Sequence, residues 1–345
     1  MVAFPVPPLC KDANGMERTN QAPMLIDGMT ADLGGPRTAS FLDKVARVID
    51  FEALATPMRE DLVPEQPRGG RPFWPVVVML KCLLLAKWYG LSDPQLEEQL
   101  CDRLSFRRFV GLGLADTTPD ETSFVRFRGR LRESGHGAAL FDAVLDQLRE
   151  RGLVLKEGSL IDATIVERST GARRDDGTST RDRCASFTKK HGRTYHGYKA
   201  HVNVSKDRLV TDYVFDTAKV HDSKHMDRLI EDEPSGGEVW ADSAYMDQKR
   251  SERLKARGVR DRIVHRRVRG QAELTEAQKA HNAQCSKVRA LVEHPFAWMK
   301  GPMGYAGARY RGLTRNALDF AHTAAAYNIK RSLSLLGMGL TPVGT

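Results

Sequence analysis

Apolar residues first fall into a helical rhythm at Phe73, where WPVVVMLKCLLLAKWYG runs to a stop at Gly90. Ser92 and Asp93, followed by Pro94, then signal the start of a second helix over PQLEEQLCDRL. SFRRFVGL predicts a third, ended by Gly111 and Gly113. A fourth begins after Pro119, where DETSFVRFRGRLRE sets Phe124, Phe127 and Leu131 on one face, with Arg126, Arg128, Arg130 and Arg132 around it. AALFDAVLDQLRERG predicts a fifth. These helices form a compact module with a basic edge over 41–152, preceded by a Pro- and Gly-rich arm at 1–40 that shows no periodicity.

The texture changes at Leu153. GSLIDATIVE, HGYKAHVNVS, RLVTDYVFD and GEVWADSAY predict strands. Between and after them SKHMDRLIEDE, DQKRSERLKARG, LTEAQKAHNAQCSKVRALVE and a last stretch from Asn316 to about Leu335 predict helices. The fold class is therefore α/β, an all-helical N-terminal module followed by a mixed α/β domain over 153–337, with 338–345 as a tail. The polar interval 168–195 predicts a long mobile loop.

Of the 345 residues 41% are apolar, and 53 Lys and Arg against 44 Asp and Glu leave a net charge of +9, which favours polyanionic partners. Five scattered cysteines form no Cys-x-x-Cys pair, so neither a disulfide framework nor a thiolate zinc site is expected, and a reducing cytoplasm fits best. The opening MVAFPVPPLC is broken by prolines and does not read as a signal peptide. The run from Trp74 to Tyr89, interrupted by Lys81 and Lys87, is too short and too charged to span a bilayer, so no membrane partner is expected.

Asp162 interrupts the apolar strand SLIDAT, and Asp242 ends a second apolar run in VWADSAY. A buried carboxylate is costly unless paired, hydrogen-bonded or metal-bound, although each acid alone also fits a strand-end cap. Glu293 lies on an amphipathic stretch four residues after Arg289 and seven before Lys300, a pattern that also suits a solvated ion-pair face. Together the three acids suit displacement at a phosphodiester by two divalent ions, whose hard oxygen ligands select Mg²⁺ or Mn²⁺ over zinc.

Asp162, Asp242 and Glu293, with DTAKVHDSKHMDRLI between the aspartates and R-x3-E-x6-K around the Glu, resemble bacterial insertion-sequence transposases of the DDE type. The insertion-sequence-five family is the narrower resemblance. WYGLSDPQLEEQLCDRLSFRRFVGL, TPDETSFVRFRGRL, SFTKKHGRTYHGYKAHVNV and VEHPFAWMK extend it from about residue 70 to 335. The resemblance implies a ribonuclease H-like catalytic domain with Asp162 on its first strand, Asp242 at the end of its fourth and Glu293 on a following helix. It implies a transposase that binds the terminal inverted repeats of its element and catalyses metal-dependent strand cleavage and transfer, as at least a dimer on double-stranded DNA. A nuclease of the same fold and a non-catalytic DNA-binding relic are the alternatives. The related signature has a Tyr where Ser286 stands, and Pro295 predicts a kink or restart in the helix after Glu293.

Candidate DNA contacts are Arg289 and Lys300 beside the Glu, and Arg126, Arg128 and Arg130 of the helical module for end recognition. Lys189, Lys190, Tyr198 and Lys199 form a basic patch with interleaved rings, and Arg266 and Arg267 lie in the segment Lys249–Gly270, which holds ten Lys and Arg against two acids. His196, His201, His221 and His225 lack a close third ligand and are not read as a zinc site. Phe296 and Trp298 are expected to pack inward.

Overall fold

In this computed structural model the described residues are 40–62, 73–154, 158–172, 179–190, 192–267, 271 and 273–338. The expected arm, apart from Ser40, and the tail after Met338 lie outside them.

Among the described residues seven helices form the first half: α1 (Phe41–Val48), α2 (Phe51–Leu62), α3 (Val76–Trp88), α4 (Asp93–Asp102), α5 (Leu104–Val110), α6 (Glu121–Glu133) and α7 (Ala139–Glu150). Their starts follow local chemistry. Ser40 and Ser92 each build a capping box, with Asp43 and Gln95, and Asp120 accepts the Ser123 N–H at 2.6 Å. Helix α3 is apolar on nearly every side and buried throughout except at Lys81 and Lys87, so it forms the centre of the module.

Among the described residues the second half holds one six-stranded sheet: β1 (Ser159–Glu167), β2 (Ser186–Lys190), β3 (Arg193–Val204), β4 (Val210–Thr217), β5 (Glu238–Ala241) and β6 (Arg260–Ile263). β1 pairs antiparallel with β3 and parallel with β5, β5 pairs parallel with β6, and β2 and β4 share the far edge of β3. Three antiparallel strands followed by two parallel ones make the ribonuclease H-like arrangement. Helices α8 (Met226–Leu229) and α9 (Gln248–Ala256) cover one face; α10 (Glu276–Arg289), α11 (Glu293–Lys300) and α12 (Leu313–Leu335) belong to the other. Alternation along β1 splits its side chains between two cores, Leu160 into the larger one with the helical module and Ile161 into the smaller one with Met226 and Leu254.

Three expectations change. The interval 168–195 is not one long loop, because β2 and the start of β3 form a hairpin with Lys190 opposite Arg193 and Ser186 opposite Gly197. The hairpin is held by main-chain bonds with mostly exposed side chains, so it leaves no apolar run to read. Strand β6 escapes notice for the same reason: it is an edge strand, and in Arg-Asp-Arg-Ile only Ile263 is buried. Strand β5 and helix α8 are shorter than their motifs, since Asp242 turns the chain into a 3-10 turn at Ser243–Tyr245 and Asp222–Lys224 forms another before α8.

Candidate active site

The sheet register brings the two aspartates together. Leu160 of β1 pairs with Trp240 of β5, and Asp162 and Asp242 each stand two residues further along, close enough for the charge of Asp242 to raise the pKa of Asp162. Asp162 follows Leu160 onto the face shared with α10, α11 and α12. Its Oδ1 accepts the Ala163 N–H at 2.8 Å. Burial raises its pKa above the ordinary carboxylate value; the Ala163 N–H and Arg289 oppose that rise, Asp242 adds to it, and Lys190 opposes it. Asp242 uses Oδ1 to cap the turn at Ala244 and faces Arg289 with Oδ2, 3.9 Å from Nη1.

Arg289 ends α10 over this pair. Lys300, at the end of α11, reaches the Ile165 carbonyl of β1 at 3.4 Å, and its pKa is lowered by burial and by Lys190. Lys190 and Arg289 therefore act on the charge of Asp162 from elements distant in sequence, with Lys300 beside Lys190.

Glu293 does not close on the pair. It is exposed at the first position of α11, and among the described residues no group of three His, Cys, Asp or Glu side chains is arranged to hold a metal ion. The cause is local. A 3-10 turn at Ala290–Val292 separates α10 from α11, and three steps of ~120° instead of ~100° rotate Glu293 by roughly 60° from the face that Arg289 presents. Pro295 has no N–H to give the Leu291 carbonyl and sits in the first turn of the restarted helix, as its position predicted. The phase is then fixed from inside: His294 Nδ1 lies 2.9 Å from the Tyr327 hydroxyl of α12, while Pro295 and Met299 are buried.

The remaining candidates separate by environment. Lys189, Lys190, Arg126, Arg266 and Arg267 are exposed. Tyr198 is fully buried and donates to Asp182 Oδ2 at 2.7 Å, so its ring belongs to the core. Lys199 lies on the opposite face of the sheet from Asp162 and donates to Asp222 at 2.8 Å and to the Val220 carbonyl at 3.1 Å. Arg128 grips Asp93 with both terminal nitrogens and stacks over Tyr310, and Arg130 donates to the Leu62 carbonyl over the Phe73 ring. These two arginines hold the module together. Phe296 and Trp298 are partly buried against the larger core.

Two features went unread in the sequence. Phe187 on β2 is exposed under the guanidinium of Arg181. Tyr245 is buried with its hydroxyl unbonded among the described residues, and burial together with Asp222, Asp162 and Asp242 raises its pKa. Its only signal was its place three residues after Asp242.

The donor chemistry suits a divalent cation. Two carboxylates held side by side, one already driven toward its protonated form, present hard oxygens whose mutual repulsion a divalent ion relieves. Residues 35–130 match a transposase domain (DUF772), and residues 154–329 match the transposase DDE domain, a family that works on DNA and normally uses divalent metal ions. No solved structure matches the chain. Among the described residues no helix is long and apolar enough to cross a membrane. This chain belongs to the DDE transposases of the insertion-sequence type.

Proposed function

We propose that this transposase binds the terminal inverted repeats of its element, cuts the DNA at the repeat boundary and joins the freed 3′ end to a target. Asp162, Asp242 and Glu293 are the acids that hold two Mg²⁺ or Mn²⁺ ions. The observation that carries this reading is the pairing of Asp162 with Asp242 under Arg289. When bound, the ions supply Lewis-acid polarisation at the phosphoryl and attacking oxygens.

The chain's own cations do the rest. Arg289 is placed to move from Asp242 to a phosphodiester oxygen, offering paired N–H donors to the developing charge. Lys190 and Lys300 add positive charge on the strand-end side, where a DNA backbone would lie against β1. No covalent enzyme intermediate is needed. Joining two ends implies at least a dimer on DNA, and the exposed Arg126, Lys189, Arg266 and Arg267 supply further phosphate contacts.

The exposed position of Glu293 supports one second reading, a DNA-binding relic that no longer cuts. One assay separates them: divalent-dependent cleavage of a labelled duplex carrying the element's own terminal repeat, with wild type beside Asp162→Ala, Asp242→Ala and Glu293→Ala. Cutting and joining by wild type alone is the expected result. Equal binding by all four proteins without cleavage in either metal would establish the relic.

A further inference from the structure

On the face of the sheet away from Asp162, α8 and α9 enclose a cavity of about 410 Å³. Four guanidinium groups line it, those of Arg228, Arg250, Arg253 and Arg257, against the carboxylates of Asp227 and Glu231. Two of the four are fixed. Arg250 is buried and donates to Asp227 at 2.7 Å and to the carbonyls of Tyr245 and Ser223 at 2.7 and 2.8 Å. Arg257 donates to the carbonyls of Ile230, Glu231 and Glu233 at 3.2, 2.6 and 2.9 Å. The carbonyl partners orient these guanidinium groups without cancelling their charge, and Asp227 forms an ion pair with Arg250.

The other two lie at the exposed rim. The side chains of Arg228 and Arg253 are 60% and 61% exposed; Arg228 makes 3.4 Å contacts to Tyr213 and Asp212, and Arg253 donates to Asp227 Oδ2 at 2.9 Å. Among the described residues no aromatic side chain lines the cavity, whose apolar contribution comes from Ile230 and Leu254. Such a site suits a phosphate rather than a stacked base.

We infer that this cavity binds a phosphodiester of the DNA backbone, on a stretch of DNA other than the one being cut. The inference rests on the DNA-processing reading above, but concerns the opposite face of the sheet. Fixed Arg250 and Arg257 form the floor charge, and Arg228 and Arg253 close over the phosphate from the rim. Arg250 also joins the cavity to the Tyr245 carbonyl, three residues beyond Asp242, so DNA anchored here is held on the same short segment as the catalytic acid.

The test measures binding of a labelled duplex of unrelated sequence to the full chain in EDTA across a salt series, so that it reads binding whether or not the protein cuts. Removing two phosphate contacts with Arg228→Gln plus Arg253→Gln is expected to lower the slope of log K against log salt by about 1.8. Arg149→Gln plus Lys279→Gln removes the same charge elsewhere and is expected to leave the slope unchanged. Thermal melting checks that both variants fold. An unchanged slope in the cavity variant overturns the inference, as does an equal fall in both variants, which would mark a general field effect. Inorganic phosphate that raises the melting temperature of wild type but not of the cavity variant, with DNA slopes unchanged, would make this a small-anion site and also overturn it.

Discussion

Asp162 answers two opposed demands, since the burial and the neighbouring carboxylate that suit it to a cation also make its ionised form costly in the metal-free chain. A raised folded-state pKa contributes stability that is complete below the unfolded value and is lost as pH rises through the folded one. That contribution therefore diminishes as pH rises above the ordinary carboxylate range. Asp162→Asn is therefore expected to raise the metal-free melting temperature by roughly 1–3 °C while lowering cleavage at least ~100-fold; calorimetry at pH 7 without divalent ions, beside the cleavage assay, checks both. His201 titrates with the opposite sign. Neither ring nitrogen of this buried residue is bonded among the described residues, and burial drives its pKa down to about 4, with Asp222 opposing that shift and His225 and Lys199 adding to it. Stability from neutral His201 is complete above the usual value of 6.5 and is lost as pH falls toward about 4, a change on the order of 3 kcal/mol. Urea titrations from pH 7 to pH 4 are expected to show a shallower loss in His201→Gln than in wild type. Equal slopes would mean that this ring is not what makes the fold sensitive to acid.

At the level of elements, what the sequence disclosed depended on how each element is buried. Helices α3, α4, α5, α6 and α7 bury one face or all faces, so apolar spacing, the cap at Ser92 and the break at Pro119 announced them within a few residues. Strands β1, β3 and β5 were visible because sheet interiors are apolar, and Asp162 and Asp242 stood out against that background. Strands β2 and β6 lie on edges, where main-chain pairing alone defines the element and leaves no side-chain period. The join between α10 and α11 lies between these cases: Pro295 signalled the restart, but the 3-10 turn that sets the phase of Glu293 follows from packing of His294 against Tyr327, a contact with no local signature. Because Glu293 is exposed while Asp162 is buried, their substitutions should separate function from stability differently. Glu293→Gln is expected to lower cleavage by ~100-fold or more while leaving metal-free melting within about 1 °C of wild type. A large melting change would place Glu293 in a structural contact rather than on the reacting side.

For the whole molecule, the two-module organisation read from composition meets a core that does not divide in the same way. Helix α12 lies against α3 and α7 of the first half and against β4 of the second, and one cluster of buried side chains runs from Leu42 to Leu333. Its bonds reach both ways: Trp88 donates to the Ala326 carbonyl at 2.8 Å, and Asn328 bonds both the N–H and the carbonyl of Val210. The tightest link is ionic. Lys87 of α3 pairs with Asp319 of α12, both nearly excluded from water, beside the buried rings of His322 and Tyr305. No local pattern announces a partnership between residues 232 positions apart, so only the apolar stretch around each was legible. Burial lowers the pKa of Lys87 and Asp319 opposes that fall, so removing the acid alone leaves an ammonium stranded in the core. Asp319→Ala is expected to cost ~3–5 kcal/mol, whereas Lys87→Met with Asp319→Leu, which removes both charges and refills the space, is expected to stay within about 2 kcal/mol of wild type. Urea unfolding followed by tryptophan fluorescence measures both. If the double variant loses as much as the single one, the halves are joined by the ion pair itself; if it recovers, shared apolar packing along α12 joins them, and the catalytic half expressed without α3 should fail to fold.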